Sequence, residues 1–157
     1  MSGGEIVVRP FEPQDVDAVW RLMRDLAVFE GYVDAFAVTP GDLLAHGFGP
    51  APAFGVFVAL KGETIAGIAV HYRIPWTFDL RPVVVLKELY VAEGFRGAGV
   101  GRALFAHLRA YAAGIGASTL RWTVLPDNEP ARRFYAAEGA APDAAWEHWT
   151  LPLPGRI

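Results

Sequence analysis

Six residues, Arg96-Gly97-Ala98-Gly99-Val100-Gly101, constrain this chain more than any others because of what flanks them. Upstream, residues 83–91 (VVVLKELYV) have the β-branched and aromatic composition of a strand. Downstream, Val100, Leu104, Leu108, Tyr111, Ala112 and Ile115 recur at helical spacing. A strand running through a glycine-rich turn into a helix makes an anion site. The first helical N–H groups have no partner within the helix, and its dipole favours negative charge. Glycines let the backbone approach a ligand closely, and Arg96 and Arg102 add cationic side chains. A P-loop needs Lys and then Ser or Thr after its last glycine, where this chain has Arg102-Ala103. The dinucleotide spacing G-x-G-x-x-G is also absent, since the run here reads G-A-G-V-G. A phosphate of another kind, or a plain glycine turn, is what the six residues leave open.

Composition narrows the classes. A chain of 157 residues, 53% apolar and 20% charged, suits one globular domain spanning residues 1–157. The net charge of −3 gives no global basic field, so no nucleic-acid partner is expected. There is no cysteine, which removes disulfides, thiolate metal sites and a cysteine nucleophile. The histidines at 46, 71, 107 and 148 lack metal-ligand spacing, so no metal is expected. Ser2 and Ser118 are the only serines, which leaves no Ser-His-Asp arrangement. No apolar run reaches membrane-spanning length and the start has no signal-like pattern, so a cytoplasmic location without membrane contact is expected.

The periodicity predicts strands over residues 6–9, 54–60, 64–72, 83–91, 119–125 and 146–151. It predicts helices opening at Pro13, after Thr39, at Val100 and after Asn128, with Gly47, Gly114 and Gly139 at their ends. Strands alternating with helices, and a hairpin turn at Lys61-Gly62-Glu63, give an α/β fold with a mixed sheet.

The order of strand, R-x-x-G-x-G, helix, strand, then Asn128-x-Pro130-Ala131-x-x-Phe134-Tyr135-x-x-x-Gly139, resembles the GNAT superfamily of N-acetyltransferases. Within it the chain is similar to the diamine (spermidine/spermine) and thialysine acetyltransferase branch. The residues carrying that similarity are Phe29-Glu30, Thr39-x-x-Asp42-Leu43-Leu44-x-x-Gly47-Phe48-Gly49, Pro75-Trp76 and Asn128-Glu129-Pro130, and the likeness covers about residues 5–151. It implies a single-domain fold whose mixed, mostly antiparallel sheet has about six to seven strands and about four flanking helices. It also implies acetyl-CoA, with its pyrophosphate on Arg96, Gly97, Ala98, Gly99, Val100, Gly101 and Arg102. The pantetheine arm would then pair with Leu89, Tyr90 and Val91 around a β-bulge and reach Asn128 and Ala131. Tyr135 falls at the position of the general acid, and a tyrosine's ordinary pKa of about 10 keeps it able to donate. The resemblance further implies a homodimer paired around the C-terminal strands, where Trp146, Trp149, Leu151 and Leu153 suit either an interface or a core edge.

On the acceptor side the branch usually carries two consecutive acids, and this chain has Lys87-Glu88. Glu88 is either the general base or the structural partner of Lys87. Lys87 would repel a polyamine, while Glu30, with Trp76 and Asp34, falls at the substrate side. The expected activity is acetyl-CoA-dependent acetylation of a primary amine on a small molecule by direct attack in a ternary complex. A protein or peptide N-acetyltransferase and a non-catalytic acyl-CoA-binding module are the alternatives.

Overall fold

The computed structural model describes residues 4–155, and the chain divides into two compact units, up to residue 122 and from residue 123 onward. The first unit holds a five-stranded sheet in the order β1 (Ile6–Pro10), β2 (Gly55–Lys61), β3 (Thr64–Ile74), β4 (Val83–Val91) and β5 (Thr119–Arg121). Its pairings are antiparallel except β4 with β5, so the sheet is mixed as the hairpin predicted. Gly62, at φ 65°, makes the two-residue turn between β2 and β3 without steric cost.

Helix α1 (Val16–Glu30) buries Val16, Val19, Leu22, Met23, Leu26 and Ala27, a stripe at helical period. It ends where Gly31 turns left-handed at φ 83°. Helix α2 (Pro40–His46) opens with a reciprocal cap: Asp42 N–H donates to Thr39 Oγ1 at 3.1 Å and Thr39 N–H to Asp42 Oδ2 at 2.9 Å. Leu43 joins the α1 stripe, Phe11, Val56, Val58, Ile68 and Val70 in a core on one face of the sheet. Helix α3 (Val100–Gly114) covers the other face through Val100, Leu104, Phe105 and Leu108. Gly67 allows that approach, because a Cβ there would come within 2.9 Å of Val100 Cγ1 and 3.1 Å of Leu104 Cδ1.

The second unit carries α4 (Glu129–Ala137), capped by Asn128, whose Oδ1 accepts from Ala131 N–H at 3.2 Å. Three strand expectations are corrected here. The described residues form five strands where the resemblance implied six to seven. β5 stops at Arg121 although residues 119–125 were expected, since only three of its residues pair with β4. Residues 146–151 form no strand: Trp146, Trp149 and Leu151 are each more than four-fifths exposed. An apolar run becomes a strand only where a neighbouring edge accepts its hydrogen bonds, and no described strand does so.

One polar contact ties the first strand to the first helix. Arg9 donates to both oxygens of the buried Asp15, at 2.7 and 3.2 Å, and Glu12 N–H adds a third bond at 2.7 Å. Burial pushes the Asp15 pKa up, but the Arg9 and Glu12 hydrogen bonds outweigh it and hold the carboxyl below its ordinary value. A carboxyl whose folded pKa is depressed stabilises above its unfolded pKa and loses that contribution as pH falls through the folded one. Asp15→Asn is therefore expected to cost about 2 kcal/mol in urea unfolding at pH 7. The difference from wild type should shrink as the pH is taken below about 4.

Candidate active site

Three features of the first unit converge along β4. The first is a break in its ladder with β3. Glu88 pairs with Val70 and Leu86 with His71, so Lys87 is an extra residue, a β-bulge. The resemblance placed the bulge around Leu89, Tyr90 and Val91, but these three pair in register with Ala69, Ile68 and Gly67. The bulge is corrected to Lys87, two residues upstream of Leu89. The second feature is an open edge. β5 pairs with β4 only at Val83, Val84 and Val85, so beyond Val85 that edge faces no strand among the described residues. An edge of this kind can receive an extended ligand with amide groups as an added strand.

The third feature is the glycine turn. Gly97 and Gly99 hold φ 79° and 86°, a region side chains rarely adopt, and Gly99 is the residue that opens α3. A Cβ at either would meet nothing within 4 Å, so the turn is open on its outer side. Val100, fully buried, anchors the first turn of α3 beneath it. Ala98 and Arg102 are exposed, and Gly101 lies within the first turn. Arg96 folds back: its Nε donates to Val91 O at 3.1 Å and its Nη2 to Tyr90 Oη at 3.2 Å. It clips the glycine turn to the end of β4.

Glu88 lies one residue past the bulge. Its side chain is only 12% exposed, and Oε2 is buried with no hydrogen-bond partner. Lys87 Nζ reaches Oε1 at 3.5 Å from a side chain that is 56% exposed. Burial raises the Glu88 pKa; Lys87 lowers it, the charge of Glu30 raises it, and the Tyr32 hydroxyl lowers it. Burial wins. A carboxyl poised above its ordinary range and short of partners has the properties of a general base.

Tyr32 is the residue that sequence reasoning missed. It follows the left-handed Gly31, and its N–H donates to Ala27 O at 2.9 Å, closing the end of α1. Burial, then the charges of Glu88 and Glu30, push its phenol up to about 12, so it stays protonated. Glu30 itself is exposed. Nothing in the spacing around Tyr32 marks it, because α1 meets β4 only through the fold.

The remaining expected residues lie on other elements. Trp76 lies beyond the far end of β4, after Ile74 pairs with Val83, with the Arg121 guanidinium 5.3 Å from its ring. Asp34 is exposed in the turn after α1. Asn128, Ala131 and Tyr135 belong to the second unit, where Asn128 caps α4 and the Tyr135 ring meets Phe134 edge-on at 5.2 Å. Among the described residues no group of three or more His, Cys, Asp or Glu could hold a metal, and no helix is long and apolar enough to cross a membrane.

This geometry has relatives. The acetyltransferase (GNAT) family model matches residues 18–139, so the chain belongs to that family and is an acetyltransferase. It is 29% identical over 152 residues to the Bos taurus thialysine N-epsilon-acetyltransferase, covering 92% of this chain and 89% of that one. It is 28% identical over 153 residues to the Homo sapiens spermidine/spermine N(1)-acetyltransferase-like protein 1, of whose length the chain spans 22%. An aminoglycoside acetyltransferase from an uncultured soil metagenomic sample, solved with sisomicin, superposes with a TM-score of 0.77 at 17% identity. That match covers 94% of this chain and 97% of the other.

Because the Tyr32 hydroxyl lowers the Glu88 pKa, Tyr32→Phe is expected to raise it. Carboxyl NMR titration of both proteins checks this; an unmoved Glu88 midpoint would show that the phenol does not reach it.

Proposed function

We propose that this chain transfers an acetyl group from acetyl-CoA to a primary amine of a small molecule, a thialysine-like amino acid, a diamine or a related amine. The observation that carries the reading is Glu88, a buried carboxyl with a raised pKa, one residue past a bulge on the open edge of β4. Acetyl-CoA fits what surrounds it. The open turn at Gly97 and Gly99 leads into unpaired first-turn N–H groups of α3, which suits the pyrophosphate, and the β4 edge suits the amides of its arm. When bound, it supplies the acetyl thioester.

In this reading Glu88, directly or through one water, takes a proton from the acceptor ammonium. The amine's freed electron pair forms the new C–N bond to the thioester carbonyl carbon. A β4 backbone N–H near the bulge donates to the carbonyl oxygen as charge builds on it; one such donor is worth about 3 to 4 kcal/mol. The oxyanion re-forms the carbonyl as the C–S bond breaks; Tyr135, at the family's acid position, gives its proton to the departing sulfur, and the extra proton still on the nitrogen leaves through water, restoring the phenol. Arg96 holds the glycine turn to β4, and Glu30 adds negative charge on the acceptor side. Lys87, beside Glu88, favours acceptors with one cationic amine over those with several.

The family match runs across the boundary between the two compact units, which supports reading them as one N-acetyltransferase domain. The exposed Trp146, Trp149, Leu151 and Leu153 support a homodimer in which a second copy covers them.

Two variants test the proposal. Glu88→Gln is expected to lower kcat for amine acetylation by roughly 10²- to 10⁴-fold while acetyl-CoA affinity by calorimetry stays within about two-fold. Activity that survives would move the base elsewhere, and absence of turnover by wild type on an amine panel would leave a binding module. Gly99→Asp places a side chain and a negative charge in the phosphate turn, so it should weaken acetyl-CoA at least about tenfold. Unchanged affinity would mean that the phosphates bind elsewhere.

A further inference from the structure

A second concavity opens at the Pro10 end of β1 and the Gly55 end of β2, lined by residues from both faces of the sheet. Glu88 pairs with Val70, whose side chain packs in the core with α1. The next residue of β3, His71, points to the other face, toward Phe57, His107 and Tyr111. There, at the end of α3 remote from the glycine turn, lies a cavity of about 310 Å³. Phe11, Phe48, Phe54, Phe57 and Tyr111 supply aromatic walls, with Gly47, Gly49 and Gly55 between them. Phe11 stacks on Phe48 at 4.3 Å, and Phe57 stacks on His71 at 4.6 Å and meets Tyr111 edge-on at 5.4 Å, so these walls brace one another.

The lining has one anomalous group. His71 is 94% buried by its 6% exposure, and its Nε2 has no hydrogen-bond partner. The ring edge bearing Cε1 and Nε2 lies over Gly55; a Cβ there would come within 2.5 Å of Cε1 and 2.8 Å of Nε2. Any other residue at 55 would therefore displace the imidazole from the cavity wall. Burial, then the charges of Arg73 and His107, lower the His71 pKa to about 4, so the ring is neutral at neutral pH. Tyr111 Oη, on the same rim, accepts from Arg73 Nε at 3.1 Å. A buried polar atom left unpaired among apolar walls is the arrangement found where a ligand supplies the missing bond.

We infer that this cavity is a binding site, separate from the acetyl-transfer site, for a small uncharged aromatic molecule that carries one hydroxyl or carbonyl group for His71 Nε2. The volume takes one or two fused rings, and the aromatic walls offer faces and edges for stacking. The neutral imidazole, with one nitrogen a donor and the other an acceptor, selects a polar uncharged group over an ion. A macromolecular segment is the poorer occupant, because the cavity offers one hydrogen-bonding ring nitrogen among aromatic walls.

The test is an amide NMR titration of the full chain with 2-naphthol. Saturable shifts are expected at Gly47, Gly49, Gly55 and His71, with Glu88 and the glycine turn unmoved. His71→Phe keeps the shape of the wall and removes the nitrogen, and it should weaken 2-naphthol at least about tenfold. If that variant does not fold, Phe48→Leu, which trims the partly exposed wall, should weaken binding in the same direction. No saturable shift up to millimolar probe would overturn the inference. So would shifts confined to residues around Glu88, or equal affinity in His71→Phe. The acetylation reading stands or falls separately, since Glu88→Gln leaves this cavity untouched.

Discussion

The pairing of β4 with β3, interrupted once at Lys87, sets the position of every site residue in the first unit. Before the interruption β4 is held on both edges, by β3 and by β5; after it, only β3 remains. The strand thus leaves the sheet with one edge open, and its end runs through the Arg96 clip into the glycine turn and α3. Packing of α3 against Gly67 holds that turn in place from the other side of the sheet. The contact tolerates little, since a single methyl group would meet Val100, Leu104 and Tyr90 O together.

Glu88 shows how magnitudes separate two readings of one residue. An ion pair with a side chain as exposed as Lys87 contributes at most about 1 kcal/mol. Removing a carboxylate from water costs several kcal/mol unless hydrogen bonds restore what is lost. With Lys87 no closer than 3.5 Å and the Tyr32 hydroxyl the smallest influence, burial outweighs the contacts that favour the carboxylate, and the pKa rises. A purely structural pair would have moved it the other way. Tyr32 and Glu30 then act on a group already poised for proton exchange.

The elements themselves were largely legible. Strand 83–91 and helix 100–114 follow from residue type and period, and the caps at Thr39 and Asn128 from local hydrogen bonding that the chain carries wherever it goes. The bulge was misplaced because composition does not reveal which residue lacks a cross-strand partner. Lys87 looks no different in the sequence from a regular strand residue. The run around Trp146 failed for a related reason. Its apolar pattern is that of a strand, but a strand exists only with an edge to pair with.

The sequence by itself determined the glycine turn of this acetyltransferase, the proposed donor side. The glycine spacing and the helix behind it are local, and an anion site at a helix N-terminus needs only neighbouring backbone groups. The proposed acceptor side, around Glu88, was decided by tertiary structure. The pKa of Glu88 depends on how much water the fold removes from it and on a tyrosine 56 residues earlier in the chain. His71 on the opposite face likewise owes its neutrality first to burial, beside Gly55, its partner on the neighbouring strand. Desolvation and long-range contact have no signature in residue order, because they arise only when distant segments close around the same group.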